Sequence, residues 1–284
     1  MTPTAAPAET SKGYGQDVVE GAHNLAKGLP PPHPIPTFSD PHAKRKWILE
    51  HLAGAFRVFG RKGYSVGTAG HISVKDPVQP GTFWINPLGK HFSLIKVSDL
   101  VHIDEHCNVL ADGAQAAVNA AGFSIHVAIH KARPDIASAC HAHLIYGKAY
   151  SSFGKELEMI NQDVCVFYKR QCVFTNFGGV AVDEREGEEI AEALGANGVA
   201  AILQNHGLLT VGSTVDEAAA AFTLLESSCH AQLLADASGL KKCIIPDDVA
   251  EYTLRLTGDP ESMYGEFQPD YELELALTNG EFLK

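Results

Sequence analysis

Three histidines in this sequence have the spacing of metal ligands. His141 and His143 lie two residues apart in a small, apolar run that begins at residue 136, and His206 stands beside Gly207 in a later segment. Because side chains alternate between the two faces of a β-strand, a strand over the first run directs both histidines to one face. Three imidazoles bind a divalent metal and leave a coordination position open for water or substrate. The pattern therefore predicts a catalytic metal site.

The predicted elements around these histidines alternate between strand and helix. Residues 200–203 and 208–211 predict two short apolar strands joined by a tight turn, from which His206 projects. Further strands are predicted over residues 67–75 and 82–87, with a hairpin over 101–110. Helical spacing and capping residues predict helices over residues 40–62, 119–133, 186–194 and 214–239. This alternation predicts one α/β domain over residues 37–240.

Both ends of the chain are predicted to differ from this domain. Residues 1–36 contain a proline-dense stretch that cannot sustain a helix or a central strand, so we predict a partly disordered arm. Residues 241–284 are acidic, with scattered aromatic side chains and little periodicity. They predict an acidic C-terminal tail that wraps around the domain.

His126 and His130 have the i, i+4 spacing with which one helix face can chelate zinc. The residues between them are Val127, Ala128 and Ile129, so the acid of the metalloprotease motif is missing. We therefore predict that these two histidines pack against the following strand.

The composition favours an enzyme that acts on small molecules. The net charge is −12 at pH 7 and the sequence pI is ≈ 5.6, which disfavours binding to nucleic acid. The 6 cysteines show no CxxC spacing and predict reduced thiols. The N-terminus has no secretory pattern, and no run is long and apolar enough to span a bilayer. We expect a cytoplasmic protein with no membrane partner.

Five segments resemble the class II aldolase/adducin family, and they lie in the family's order. They are residues 67–74, 83–89, 125–135, 141–143 and 203–212. The resemblance implies a three-layer α/β/α fold with a central, mostly antiparallel sheet, and a homotetramer with active sites at subunit boundaries. It also places the zinc ligands of the metal-dependent members on His141, His143 and His206. Zinc is the metal that we expect, although imidazoles also suit manganese, iron and cobalt.

The sequence departs from the sugar-phosphate aldolases of this family where they move protons and bind phosphate. Their proton-transferring Glu falls on Gly122, and their general-acid Tyr falls on Gln162 by an ungapped count. Their phosphate-binding Asn is replaced by His71, and their hydroxyl pair by Ala120 and Ala121. Aldol cleavage requires a titratable group near the reacting carbon. The sequence therefore argues against a plain sugar-phosphate aldolase.

A metal site without that acid–base set favours decarboxylation. Loss of CO2 leaves electrons that a divalent metal stabilises in an enolate-like species, and it requires only a proton donor afterwards. Some family members that this chain resembles decarboxylate hydroxylated aromatic or related cyclic acids with a bound metal. We predict a metal-dependent carbon–carbon lyase, a decarboxylase of a hydroxylated aromatic or related cyclic or oxo acid. The alternatives are a non-haem metal oxygenase, a retro-aldol aldolase and a non-catalytic, adducin-like scaffold.

Eight further residues complete the predicted site. His71, on a glycine turn, is expected to donate a proton or bind a carboxylate, or else to face solvent. Asp163 is expected to orient an imidazole or to cap a helix, and Tyr168 to act as an acid. The residues expected to bind the carboxylic acid substrate are Gly70, Asn86, Gly89, Lys90 and Gln162.

Overall fold

The computed structural model describes residues 32–179 and 184–284. Its strands are β1 (His71–Lys75), β2 (Thr82–Ile85), β3 (Val101–Asp104), β4 (Ser138–Ala142), β5 (Gln171–Phe174), β6 (Ala200–Leu203) and β7 (Gly207–Gly212). Its helices are α1 (Pro41–Arg61), α2 (Ala120–Ala132), α3 (Ile145–Ser151), α4 (Glu184–Leu194), α5 (Val215–Ala237), α6 (Asp247–Thr257) and α7 (Pro260–Thr278). Most of the predicted N-terminal arm, residues 1–31, lies outside the described residues.

The strands form a single seven-stranded sheet in the order β3-β2-β1-β4-β7-β6-β5. Neighbouring strands are antiparallel except β5 and β6, which are parallel. Helices α2 and α4 pack on one face of the sheet, and α1, α5 and α7 pack on the other. The predicted three-layer α/β/α fold with a mostly antiparallel sheet is therefore confirmed. In the described part of the chain, no helix has the length and apolar character needed to cross a membrane.

The two faces of β1 show how the sequence separates core from site. Ile72 and Val74 point into the core that α1 and α5 cover. His71 and Ser73 point to the opposite face, where their side chains hydrogen-bond to groups on α2. The alternation of apolar and polar residues along this short strand thus places its polar side chains beneath α2.

The segment after residue 240 differs from its prediction, because it contains helices α6 and α7 rather than an irregular tail. Asp259 caps α7 by accepting hydrogen bonds from the backbone N–H groups of Glu261 and Ser262, both at 3.1 Å. The aromatic residues that looked scattered form one buried face of α7, namely Tyr264, Phe267 and Tyr271. Their spacing of three and four residues is that of a helix face, and this face packs on α1 and α5.

Asp76, just after β1, is the centre of a buried polar network. Its carboxylate accepts hydrogen bonds from Arg45 Nη2 at 2.6 Å and from Trp84 Nε1 at 2.7 Å. His102, whose ring stacks on Trp84, lies 3.2 Å from the same carboxylate through Nε2 and 2.5 Å from Asp112 through Nδ1. The network ties α1 to β1, β2 and β3.

Candidate metal centre

The structure brings His141, His143 and His206 together at the edge of the α2 layer. His141 lies on β4 opposite Leu209 of β7, and His143 follows directly after β4. His206 lies in the turn between β6 and β7. The ligand nitrogens of these three histidines all lie within 4.8 Å of one another. They form the histidine cluster described below.

The turn that carries His206 depends on two neighbouring residues. Asn205 adopts a left-handed conformation with φ of 58°, a conformation that Asn tolerates better than most residues. A Cβ atom on Gly207 would lie only 3.0 Å from the carbonyl oxygen of Ala142, so glycine permits the close approach of this turn to β4. Together they hold His206 beside His141 and His143.

The protonation of the histidine cluster suits metal binding. The Nδ1 atom of His141 lies 2.8 Å from the carbonyl oxygen of Leu208, so Nδ1 carries the proton and Nε2 keeps its lone pair. Burial lowers the pKa of His141 well below its usual value, and the neighbouring imidazoles contribute to this shift. Burial and the nearby His143 together lower the pKa of His206 to about 4. Burial also lowers the pKa of His143, as does the charge of Lys148. All three are therefore neutral near pH 7, which is the form that binds metal.

The histidine cluster opens into a cavity of about 520 Å³. Among the described residues, the side chains that line it include no carboxylate, and its one cationic side chain is Lys148. Its lining residues are Thr68, Ala69, Gly70, His71, Asn119, Ala121, Gly122, Ile125, His141, His143, Lys148, Phe177, Gly179, Asn205 and His206. The cavity thus combines potential metal ligands with a positive charge and apolar walls, which suits an anionic organic molecule.

His71 reaches this cavity and is also the end of a buried hydrogen-bonded chain. Its Nδ1 lies 2.9 Å from Nε2 of His126, whose Nδ1 lies 2.7 Å from Oγ of Ser73. The same Oγ lies 2.9 Å from Nε2 of His130. His126 and His130 thus pack beneath β1, whereas the sequence predicted packing against β4. Burial lowers the pKa of His71 and His126 well below the usual value, so both are neutral.

Of the four other predicted residues, Gly70 and Asn86 lie at the glycine turn that precedes β1. Gly70 lines the cavity with a φ of 96°, and Asn86 donates from Nδ2 to the carbonyl oxygen of Gly70 at 3.4 Å. Asn86 therefore supports the turn rather than lining the cavity. Gly89 and Lys90 lie outside the cavity wall, and Lys90 Nζ pairs with Asp99 at 2.6 Å.

Gln162, Asp163 and Tyr168 are not brought to the histidine cluster within one chain. They belong to the segment around the 3-10 helix Asp163–Phe167, which packs with α5 and α6 on the opposite face of the sheet. Gln162 and Asp163 line a different cavity, and Tyr168 lines a third. The ungapped count placed Gln162, with its neighbour Asp163, near the site because it could not show that the chain crosses to the other helical layer.

The sequence analysis missed two cavity residues that bear on function, Lys148 and Phe177. Lys148 lies on α3, which begins two residues after His143, so a prediction that a helix follows β4 could have found it. Phe177 lies in the loop after β5, with its ring 6.2 Å from that of His206. Nothing in the local sequence around Phe177 indicates this position, because it depends on the tertiary pairing of β5 with β6.

Comparison with known proteins agrees with this architecture. The family model of the class II aldolase and adducin N-terminal domain matches residues 50–233. The decarboxylase NovR of Streptomyces niveus is 41% identical over 242 residues, which cover 85% of this chain and 88% of that relative. A 4-hydroxy-3-prenylphenylpyruvate oxygenase/4-hydroxy-3-prenylbenzoate synthase of Streptomyces roseochromogenus is 41% identical over 245 residues, covering 86% and 87%.

A solved structure named L-fuculose 1-phosphate aldolase, from Glaciozyma antarctica, superposes with a TM-score of 0.82 at 40% identity. It covers 88% of this chain, and 97% of its own chain is matched. The sequence match across the central domain and the similarity of both fold and length show that this chain belongs to the class II aldolase/adducin family.

Proposed function

We propose that this protein is a metal-dependent decarboxylase of a hydroxylated aromatic or related cyclic or oxo acid. The observation that carries the proposal is the cavity itself, in which three neutral imidazoles converge beside a lysine and no described lining side chain is a carboxylate. NovR, a relative at 41% identity, is named a decarboxylase. The substrate is a small-molecule carboxylic acid.

The donor set fits a divalent metal. Class II aldolases are metal-dependent, typically with zinc. The three imidazoles of the histidine cluster are neutral, and the hydrogen bond of His141 to the Leu208 carbonyl fixes which nitrogen faces the cluster. When bound, the metal would supply Lewis acidity that stabilises negative charge on substrate oxygens. Zinc is the proposed metal, with manganese, iron or cobalt as the other candidates.

The side chains of the cavity account for the rest of the reaction. Lys148 binds the substrate carboxylate at the mouth of the cavity by charge, and Phe177 packs against the ring. The bond between the carboxylate carbon and its neighbour breaks, CO2 leaves, and the electron pair remains on the carbon skeleton as an enolate. His71 then gives the proton on Nε2 to that carbon and recovers a proton from water in the cavity.

Two other reactions have specific support, and experiment can distinguish each of them from the proposed decarboxylation. One relative is named an oxygenase, which favours oxidative decarboxylation as a second candidate. The structure at TM-score 0.82 is named an aldolase, which favours retro-aldol cleavage. Against the aldolase, the described part of the cavity wall offers no carboxylate to move a proton at the reacting carbon. An adducin-like scaffold would have no need of a clustered set of neutral histidines.

A substrate screen tests the proposal directly. The metal-loaded protein is incubated with hydroxybenzoates, hydroxymandelates and 4-hydroxyphenylpyruvate, and released CO2 is measured with and without oxygen. L-fuculose 1-phosphate serves as the aldolase comparison. We expect CO2 release from at least one acid without oxygen and no cleavage of the sugar phosphate. If CO2 release depended strictly on oxygen, the protein would be an oxygenase rather than the proposed decarboxylase. If only the sugar phosphate were cleaved, it would be an aldolase.

Replacement of Lys148 with alanine is expected to raise the KM for the acid about tenfold while kcat changes little, because a lost charged contact weakens binding. Metal content should stay unchanged, since Lys148 is not in the histidine cluster. The matched control is Lys131→Ala, whose ammonium group is exposed and pairs with Glu105 at 2.9 Å away from the cavity. Equal KM values in both variants and the wild type would show that Lys148 does not bind the substrate.

Assembly and location are proposed on the resemblance and the sequence. Class II aldolases commonly form tetramers, and we propose a homotetramer for this chain. Ile145 and Phe177, beside the cavity, are 66% and 47% exposed in the single chain, so apolar surface is available there for a neighbouring subunit. A cytoplasmic location stays a prediction from the sequence.

A further inference from the structure

Gly122 occupies an unusual position for a glycine, the first turn of helix α2. Its N–H donates to Oδ1 of the capping residue Asn119 at 3.0 Å. Glycine is less favourable than alanine in a helix because its backbone loses more freedom on folding. Its conformation here does not require glycine, since its φ lies in the ordinary helical region. The glycine therefore needs another physical reason.

That reason is the ring of His71. A Cβ atom built on Gly122 would lie 2.0 Å from Nε2 of His71 and 2.5 Å from its Cδ2. Both distances are far below van der Waals contact, and the ring cannot move freely to relieve them. Its other nitrogen is held 2.9 Å from His126, and its face packs on His141 with ring centroids 5.0 Å apart. Any side chain at position 122 must displace this ring.

We infer that Gly122, His126 and Ser73 are positioning residues that hold the His71 ring at the cavity wall with Nε2 beside the histidine cluster. Gly122 provides the space, His126 fixes Nδ1, and Ser73 fixes His126 in turn. This inference deepens the proposed function, because His71 is the proton donor proposed there. The three residues themselves act through His71 and need not touch substrate.

The hydrogen-bonded chain is compatible with a proton on Nε2 of His71. Each neutral imidazole carries one proton, and the hydroxyl of Ser73 can donate one hydrogen bond and accept two, so the chain is satisfied in more than one direction. When each group donates toward the cavity, His71 carries its proton on Nε2. In this arrangement Nε2 of His130 donates to Ser73, and Ser73 donates to Nδ1 of His126. Nε2 of His126 in turn donates to Nδ1 of His71. This is the arrangement that the proposed proton donor requires.

A double-mutant cycle tests the inference by thermal unfolding, independently of activity. We expect Gly122→Ala to lower Tm in the wild type but to raise it in a His71→Ala background, where the Cβ atom has space. The matched control is Gly265→Ala, since Gly265 lies in helix α7 and has open space among the described residues where a methyl group would be added. That control should raise Tm in both backgrounds. A Gly122→Ala variant that changes Tm equally in both backgrounds would overturn the inference.

Enzyme kinetics provide a second test of the positioning role. In Gly122→Ala and His126→Phe we expect kcat to fall about tenfold or more, with bound metal unchanged, because a displaced proton donor slows protonation by a typical general-acid factor. His126→Gln, whose side-chain amide can still reach Nδ1 of His71, should recover part of kcat. Unchanged kcat in both variants, or loss of metal in parallel with kcat, would overturn the positioning role. If the wild-type protein were inactive on every acid tested, the proposed function would be contradicted. The Tm values of the double-mutant cycle would still show whether Gly122 provides the space for the His71 ring.

Discussion

Replacing His206 with alanine is expected to remove the bound metal and to lower decarboxylase activity by about 10³-fold or more. The imidazoles of His141 and His143 remain, but they offer fewer ligands than a stable transition-metal site needs. The ring of His206 lies beside the other two imidazoles of the cluster, with centroids 4.8 Å from His141 and 4.7 Å from His143. Metal per chain is measured by plasma mass spectrometry, and activity by CO2 release.

The control for this variant is a histidine outside the cluster. His106 has a side chain 71% exposed and lies in the turn after β3, so His106→Ala should keep both metal and activity. Reduced stability alone cannot explain a loss of metal if circular dichroism shows a folded His206→Ala protein. A folded variant that retains metal and full activity would refute His206 as a ligand.

Replacement of Asp76 with alanine is expected to lower the free energy of unfolding by about 3–5 kcal/mol. The carboxylate accepts hydrogen bonds from Arg45, Trp84 and the backbone N–H of Val78. Its removal leaves these donors unsatisfied in a place that water cannot reach, since the side chain of Asp76 is 0% exposed. Urea denaturation measures the change.

The control for Asp76 is an exposed ion pair. Asp135 pairs with Arg133 at 2.6 Å, but its side chain is 63% exposed, so Asp135→Ala should cost no more than about 1 kcal/mol. Similar losses in Asp76→Ala and Asp135→Ala would contradict the structural role of the Asp76 network.

The Asp76 network also predicts how stability depends on pH. Burial alone would raise the pKa of Asp76, but hydrogen bonds from His102, Val78 and Trp84 lower it well below its usual value. Folding therefore favours the ionised carboxylate, and this stabilisation is present above the unfolded pKa of about 3.9. It is lost as pH falls below that value toward the folded pKa. Asp76→Ala should lose less stability than the wild type on acidification through this range.

The clustering of His141, His143 and His206 could be predicted from the sequence because it depends mainly on local geometry. Two histidines separated by one residue on a strand must share a face, and a third in a tight turn between paired strands must project from the sheet edge. The helices of the C-terminal segment were missed for a different reason. Tyr264, Phe267 and Tyr271 carry a helical period, but the acidic residues between them and Pro269 obscure it. Only packing against α1 and α5 makes that face evident.

The contact between His71 and Gly122 lay beyond sequence reasoning. The sequence shows each as a separate departure from the family's aldolases, His71 in place of Asn and Gly122 in place of Glu. The fold brings them into contact, with the ring occupying the space where a side chain at 122 would begin. Conversely, Gln162 and its neighbour Asp163 were placed by counting along the chain, and distance along the chain does not determine which face of a sheet a segment reaches.

The pairing of β4 with β7, in which His141 lies opposite Leu209, has a consequence for how the protein is prepared. A slip of one residue between these strands would turn every side chain of one strand to the other face. His141 would then enter the apolar layer beneath α5, and the three imidazoles could no longer meet. With the proposed metal bound by this cluster, the metal content of a purified batch would report the fraction of correctly registered molecules, and a divalent ion supplied during refolding would favour them.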